Sequence, residues 1–313
     1  MLVLELFGGI GACCKALDRL KIDYEIADYV EIDKFAVKSF NALHCTTFEP
    51  NDIRNWNKDV KVDLIMHGSP CQDFSLSGKQ NGGDEGSGTR SSLMYETLRI
   101  VEKTMPKYVI WENVRNILSK KHKHNFTNYL NRMFVLGFRN YYSILNAKDF
   151  GIPQNRERVF VISIRNDIDN GFSFPQKQTL TKRIKDFCED NVDAKYYLNK
   201  DSLSLSRRTG DVNDRIIVVG NYMKSRHEAS RIVDAEGIAP TIKENHGTVT
   251  AILLNNQIRK LTPKEFWLLM GFDNDDYEKV EKISSVSQLY KQAGNSIVVN
   301  VLEAIFKQLF NFS

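Results

Sequence analysis

Long apolar runs are missing from these 313 residues. None approaches the roughly 18 residues that a bilayer crossing needs, so no membrane span is expected. Cysteine is scarce: Cys13, Cys14, Cys45, Cys71 and Cys188 form an odd set without CxxC spacing. That pattern argues against a disulfide framework or a zinc site and fits a reducing cytosol. The opening Met1-Leu2-Val3-Leu4-Glu5-Leu6 has no basic leader and reads at once as a core strand, which speaks against a signal peptide. Internal repeats and low-complexity tracts are also lacking. With 42% hydrophobic and 26% charged residues there is no signature of disorder. The chain reads as an ordinary globular protein with room for a large core and a second, smaller module.

Charge is present but unevenly spread. Residues 1–114 hold 13 Lys and Arg against 17 Asp and Glu, a net of −4, whereas residues 115–158 hold 9 against 2, a net of +7. Residues 177–231 hold 12 against 8, a net of +4. Basic surface confined to the middle of the chain suits a polyanion, because Lys and Arg gain by releasing phosphate counterions. A solvated basic face is the alternative on charge alone. Strand patterns at Leu2–Leu6, Ile26–Glu31, Val62–Met66, Tyr108–Trp111, Tyr141–Asn146 and Val159–Ile164 alternate with helix patterns at Ala12–Leu20, Lys34–Leu43, Ser92–Thr104 and Asn125–Val135. That rhythm predicts an α/β fold with a doubly wound, mostly parallel sheet. It stops near Arg165. From 171 to 255 come short strand-like runs broken by Asn, Asp and Gly, which predict a small, irregular, mainly β module. Helical patterning returns at Thr262-Pro263-Lys264-Glu265, a cap residue with Pro at the first helical position and an early acid. A last helix is expected over Ile297–Leu309, returning to the first domain.

Three strand exits carry chemistry. Phe7-Gly8-Gly9-Ile10-Gly11 follows the first strand, where glycines let the backbone turn sharply and approach a cofactor at a helix amide end. The G-x-G-x-x-G fingerprint is lacking, since Cys14 stands where Gly or Ala is needed, so a dinucleotide pyrophosphate is disfavoured. Glu31 ends the second strand, where an acid holds ribose hydroxyls. Asp52-Ile53 follows a further turn suited to bracketing an adenine. A plain tight turn is the alternative, but Glu31 and Asp52 together favour a nucleoside. Cys71, in Gly68-Ser69-Pro70-Cys71-Gln72, follows the third strand, with Pro70 fixing chain direction and Gln72 offering an amide. A thiolate there is a strong nucleophile if its surroundings ionise it. The other four cysteines read as small buried hydrophobes. The polar stretch Ser75–Arg90, with Gly78, Gly82, Gly83, Gly86 and Gly88, reads as a lid.

Glu112, followed by Asn113, comes just past the Tyr108–Trp111 run, deep enough to act as a proton donor. A helix N-terminal acid is the alternative. Arg156 and Arg158, at alternate positions before a β run, are expected on one strand face, suited to a carboxylate, phosphate or carbonyl. A surface ion pair with Glu157 is the other reading. His122 and His124 read as a solvated basic helix start rather than a metal site.

Taken in order, these segments resemble the DNA cytosine-5 methyltransferase family of bacterial or phage restriction-modification type, over nearly the whole chain. The glycine loop, Pro70-Cys71-Gln72, Glu112-Asn113-Val114 and Gln154-x-Arg156-x-Arg158 are followed by Arg259-Lys260-Leu261-Thr262-Pro263 and Gly294-Asn295-Ser296. Lys264 stands where arginine is common and Ile297 where valine is usual. The resemblance implies a Rossmann-like fold dependent on S-adenosylmethionine, with Phe7, Gly8, Gly9, Gly11, Glu31, Asp52, Ile53, Leu93, Asn295 and Ser296 as cofactor positions. It implies that Cys71 adds to C6 of an extruded cytosine while Glu112 donates toward N3. Arg156 and Arg158 would hold the base and Cys71, with Gln72 assisting and Asn113 supporting the Glu112 carboxyl. A catalytic domain is expected over 1–170 plus 292–313, and a target-recognition domain and hinge over 171–291, with Asn221, Lys224, Arg226, Asn245 and His246 as candidate base readers. The expected partner is double-stranded DNA, without a membrane, bound by a monomer in the cytoplasm of a bacterium or phage-infected cell. A cognate restriction endonuclease would act separately. A tRNA cytosine-5 methyltransferase and a silent DNA-binding regulator are the alternatives.

Overall fold

The computed structural model describes residues 1–70, 83–84, 86–199, 203–205, 215–223, 230–244 and 248–311. The strands in chain order are β1 (Leu2–Leu6), β2 (Glu25–Val30), β3 (Leu64–His67), β4 (Tyr108–Val114), β5 (Phe138–Asn146), β6 (Gln154–Asn155) and β7 (Glu157–Arg165). Then follow β8 (Ser204–Leu205), β9 (Val218–Asn221), β10 (Arg231–Asp234), β11 (Ala239–Pro240), β12 (Ala251–Leu254) and β13 (Gln257–Lys260). The helices are α1 (Ala12–Arg19), α2 (Lys34–His44), α3 (Met94–Thr104), α4 (Lys123–Val135), α5 (Pro263–Leu268), α6 (Asn274–Glu281), α7 (Val286–Asn295) and α8 (Val299–Leu309).

A six-stranded sheet runs β2-β1-β3-β4-β7-β5. Its β1/β2, β1/β3 and β3/β4 pairs are parallel, and β4/β7 is antiparallel. The expected mixed α/β fold with a mainly parallel central sheet is therefore present. The apolar runs at β1, β3 and β4 are buried on both faces, as parallel strands covered by helices require. Leu4, Ile65 and Trp111 from these strands pack with Met94, Leu98 and Val101 of α3 and Phe126, Tyr129 and Met133 of α4. Apolar spacing on α3 and α4 gives each helix the stripe that covers the sheet.

By contacts the chain divides into one unit of 1–145, 157–175 and 302–313 and another of 146–156 and 176–301. This contact division places 146–156 and 292–301 in the second unit, unlike the functional division expected from sequence. Gln154 and Arg156 show why: Gln154 Nε2 donates to the Leu269 carbonyl at 2.9 Å, and its Oε1 accepts from Ile242 N at 3.0 Å. The second unit holds the sheet β13-β12-β10-β9-β8 over a core of Ile217, Val219, Ile232, Ala251 and Ile258. Helix α5 starts as its sequence predicts. Thr262 caps it, Pro263 opens it, and Glu265 closes a capping box while taking two bonds from Arg259 at 2.8 and 2.6 Å.

Helix α1 opens at Gly11, which has no side chain to satisfy the first amides. Buried Glu5 of β1 does so instead, accepting from Cys14 N at 3.1 Å. Burial pushes the Glu5 carboxyl up to about 7, against the bonds from Cys14 that hold it down. The folded state therefore takes up this proton more readily than the unfolded chain, and the associated stability is lost as pH rises from about 4.5 to about 7. Glu5→Gln is expected to flatten that dependence, so its thermal midpoint gains on wild type more at pH 8 than at pH 5. Equal differences at both pH values would remove Glu5 as the cause.

Candidate functional site

The turn between β1 and α1 is tight because three of its residues are left-handed: Phe7 (φ 53°), Gly9 (φ 56°) and Gly11 (φ 79°). Its glycines do different work. A Cβ on Gly8 would lie 2.6 Å from the Tyr29 ring, and one on Gly11 would lie 2.2 Å from the His44 ring. Both are small so that neighbours can pack. Gly9 alone of the three faces open space, with nothing within 4 Å of a built Cβ. Its N–H donates to Glu31 Oε2 at 3.1 Å and its carbonyl accepts from the Tyr29 hydroxyl at 2.6 Å. Glu31 Oε1 accepts from Asp33 N at 2.9 Å. Burial pushes the Glu31 carboxyl up, while the Asp33 and Gly9 amides hold it down.

The Asp52 turn is tied to Glu31 by the Asn51 N–H, which reaches the Glu31 carbonyl at 2.8 Å. Asp52 caps a one-turn 3-10 helix, Ile53–Asn55. Its carboxylate is already engaged by the Arg54 guanidinium, which holds it below the usual range. Ile53 is buried, and its carbonyl accepts from Arg99 at 3.0 Å. Leu93 ends a second 3-10 turn, Arg90–Leu93, and packs against the main core. Open Gly9, Glu31, the Asp52 turn and Leu93 all lie in the first unit. A carboxylate offers about four acceptor positions, and Glu31 takes bonds from the Gly9, Asp33 and Ile32 amides, so acceptor capacity remains for a ribose hydroxyl. The residues fit a nucleoside-bearing cofactor.

Cys71 and Gln72 lie outside the described residues, as does most of the loop that follows; Gly83, Gly86 and Gly88 are described. Glu112 does not lie past its strand. It is in β4, opposite Phe160 of β7, because pairing with β7 carries the strand on to Val114. Its alternative as a helix N-terminal acid is thereby removed. Arg158 Nε donates to Glu112 Oε1 at 2.9 Å, with both side chains mostly buried. Arg156 lies in neither β6 nor β7, so it does not share a strand face with Arg158 as expected. The chain breaks between β6 and β7 at Arg156, whose guanidinium donates to the carbonyls of Ile242 (2.7 Å), Gly294 (3.2 Å) and Ser296 (2.8 Å) in the second unit. Glu157 pairs with Arg115 at 2.7 Å rather than with either arginine side chain.

Asn113, expected to support Glu112, points the other way, since successive residues of a strand face opposite sides. Its Oδ1 accepts from Val114 N at 2.9 Å and its Nδ2 lies 3.4 Å from the Ser69 carbonyl. Ser69 and Trp111, which bond each other, were not singled out in the sequence; only a pairing map reveals them. Asn295 ends α7 and donates to Glu244 at 2.9 Å, while the Ser296 hydroxyl donates to the Ile297 carbonyl at 3.2 Å. Of the candidate base readers, Asn221 lies on β9 and accepts from Ser230 at 3.2 Å. Lys224, Arg226, Asn245 and His246 lie outside the described residues. Cys13 and Cys14 are buried as expected, but Cys45 is exposed at the end of α2 and Cys188 is half-buried. Gly294 is enclosed by backbone, a built Cβ lying 2.2 Å from Glu244 N and 2.3 Å from the Lys243 carbonyl carbon. Gly294→Ala is expected to cost about 2–3 kcal/mol, read as a lower thermal midpoint. An unchanged midpoint would show that this segment yields freely.

Residues 1–311 match the family described as C-5 cytosine-specific DNA methylase. The chain is 34% identical to the type II methyltransferase M2.ScrFI of Lactococcus lactis subsp. cremoris, covering 98% of this chain and 98% of that protein. It is 33% identical to the type II methyltransferase M.HhaI of Haemophilus parahaemolyticus, over 96% of this chain and 92% of that protein. It is 30% identical to the orphan methyltransferase M.SPBetaI of Bacillus phage SPbeta, over 99% and 97% respectively. Among solved structures, the S. pombe Dnmt2 methyltransferase is similar in fold, with a TM-score of 0.74 at 20% identity over 99% of this chain and 98% of that one. With the match running almost end to end, this chain belongs to the C-5 cytosine-specific DNA methylase family, enzymes that take their methyl group from S-adenosylmethionine.

Proposed function

We propose that this protein methylates C5 of cytosine at a specific sequence in double-stranded DNA, through a transient bond from Cys71 to C6. The observation that carries the reading is the Glu112–Arg158 pair. Its acid, Glu112, lies in β4, beside β3, the strand that leads into Pro70-Cys71, and Arg158 reaches it from β7 on the other side. A stacked base cannot be reached from both faces, so the cytosine must swing out, at about a few kcal/mol. The Cys71 thiolate then bonds C6, the C5–C6 π pair shifts to C4–C5, and the C4–N3 π pair moves onto N3. Glu112 donates toward N3, which draws that electron density and leaves C5 nucleophilic. Arg158 holds the Glu112 carboxyl in place during this transfer and excludes a competing rotamer. S-adenosylmethionine, when bound, supplies an electrophilic methyl carbon at C5. Loss of the C5 proton to water returns an electron pair to the C5–C6 bond, the thiolate leaves C6, and N3 gives its proton back to Glu112.

Phe7, Gly8, Gly9, Gly11, Glu31, Asp52, Ile53 and Leu93 of the first unit are the residues that would hold the methyl donor; Asn295 and Ser296 are read as cofactor positions from the sequence resemblance alone. Open space at Gly9 and the spare acceptor capacity of Glu31 support this reading. Arg156 is read as fixing the 294–296 segment rather than touching the base. The second unit is assigned the reading of sequence. Support for DNA comes from exposed Lys120, Lys121 and Lys123, just past the end of β4, which suit phosphate. Among the described residues no helix is long and apolar enough to cross a membrane. We further read the protein as a monomer acting in the cytoplasm of a bacterium or phage-infected cell, with any cognate restriction endonuclease separate.

Purified protein given labelled S-adenosylmethionine is expected to label duplex DNA and not tRNA, and Cys71→Ala to abolish labelling. Labelling of tRNA alone would move the substrate to RNA. Undiminished transfer by Cys71→Ala would end the thiol mechanism.

A further inference from the structure

The Glu112–Arg158 pair uses one face of β4, and the other face carries a second polar arrangement. Ser69 is 3% exposed, and its hydroxyl accepts the indole N–H of Trp111 at 2.9 Å. Asn113 Nδ2 lies 3.5 Å from the same hydroxyl. Trp111 is 1% exposed and its ring is fixed from several sides, with centroids 4.2 Å from Tyr129 and 5.8 Å from both Phe126 and His67. The indole cannot turn its N–H elsewhere without unpacking those rings.

Core packing alone does not require this bond. Replacing both partners of a buried hydrogen bond by apolar groups of similar shape is close to neutral. A phenylalanine over an alanine would fill much the same space. What the bond adds is direction, at a residue already restrained. Pro70 confines Ser69 to extended backbone, and the bond from Trp111 then fixes where that backbone lies against β4. Cys71 is two residues further on. Trp111 and Asn113 alternate with Glu112, so a single strand sets the base of the nucleophile segment on one face and the acid on the other.

We infer that Ser69 and Trp111 form a positioning pair for the Cys71 thiolate. The pair touches neither base nor methyl donor; it acts through the nucleophile. The inference rests on the reading of Cys71 given above. Its loss slows addition to C6 and leaves DNA affinity unaltered, because no DNA contact is removed.

The test uses the full chain with S-adenosylmethionine and duplex DNA in which every cytosine is 5-fluorocytosine. Fluorine cannot leave as a proton does, so the enzyme stays attached, and the rate of covalent capture reports addition. Ser69→Ala and Trp111→Phe are each expected to slow capture about tenfold at unchanged DNA Kd, within what a small misplacement of a reacting group costs. The double variant should be no slower than either single one, since the same bond is removed. Ser69→Thr, which keeps the acceptor, should capture close to the wild-type rate. Should Trp111→Phe fail to fold, Ser69→Ala against Ser69→Thr still decides. Wild-type capture by Ser69→Ala, or single effects that multiply in the double variant, would overturn the pair. Absence of capture by the wild type would instead remove the Cys71 reading, and this pair's role with it.

Discussion

The antiparallel pairing of β7 on β4 is the constraint on which the site depends. The described pairs among β2, β1, β3 and β4 are parallel, so their carboxyl ends share one edge, where ligands of such sheets bind. A parallel β7 would bring its first residues to the opposite edge. Running antiparallel, β7 brings Arg158 opposite Val114, two positions beyond Glu112, within bonding distance of that carboxylate. The acid and its guanidinium partner thus come from strand pairing rather than from a loop. Burial makes the partnership strict, because a buried carboxylate left without its counter-ion costs about 3–5 kcal/mol.

The same strand separates two tasks by alternation. Glu112 faces Arg158, whereas Trp111 and Asn113 face Ser69 at the start of the nucleophile segment. Neighbouring β1 and β2 set the proposed cofactor end in a comparable way. Val30 accepts the Gly8 N–H at 3.3 Å, and Glu31, next in the chain, accepts that of Gly9. The glycine turn is therefore held to the second strand by its own amides. Gly9 remains open because Gly8 and Gly11 absorb the packing against Tyr29 and His44. Open space in this turn is one residue wide.

Much of this arrangement was legible in the sequence, and the rest shares one cause. Apolar periodicity reads burial, so β1, β3, β5, β7, the main helices and the α5 cap were found within a few residues. Periodicity does not read pairing. The Tyr108–Trp111 run ends where apolar residues end, yet β4 continues through polar Glu112 and Asn113 because β7 supplies hydrogen bonds there. Even spacing groups Arg156 with Arg158, while a break in the strand leaves Arg156 bonded to three carbonyls of its own unit. Asn113 was matched with its neighbour in sequence, although strand alternation turns the two apart. Cys45 looked like a core residue by type, but the end of α2 leaves it exposed.

The most direct measurement of the central claim is a crystal structure of the enzyme joined to a duplex at a single 5-fluorocytosine. The account expects continuous density from the Cys71 sulfur to C6, the Glu112 carboxyl beside N3 and still held by Arg158, and Ser69 bonded to Trp111. Density joining C6 to any other residue, or Glu112 turned away from the ring, would contradict it.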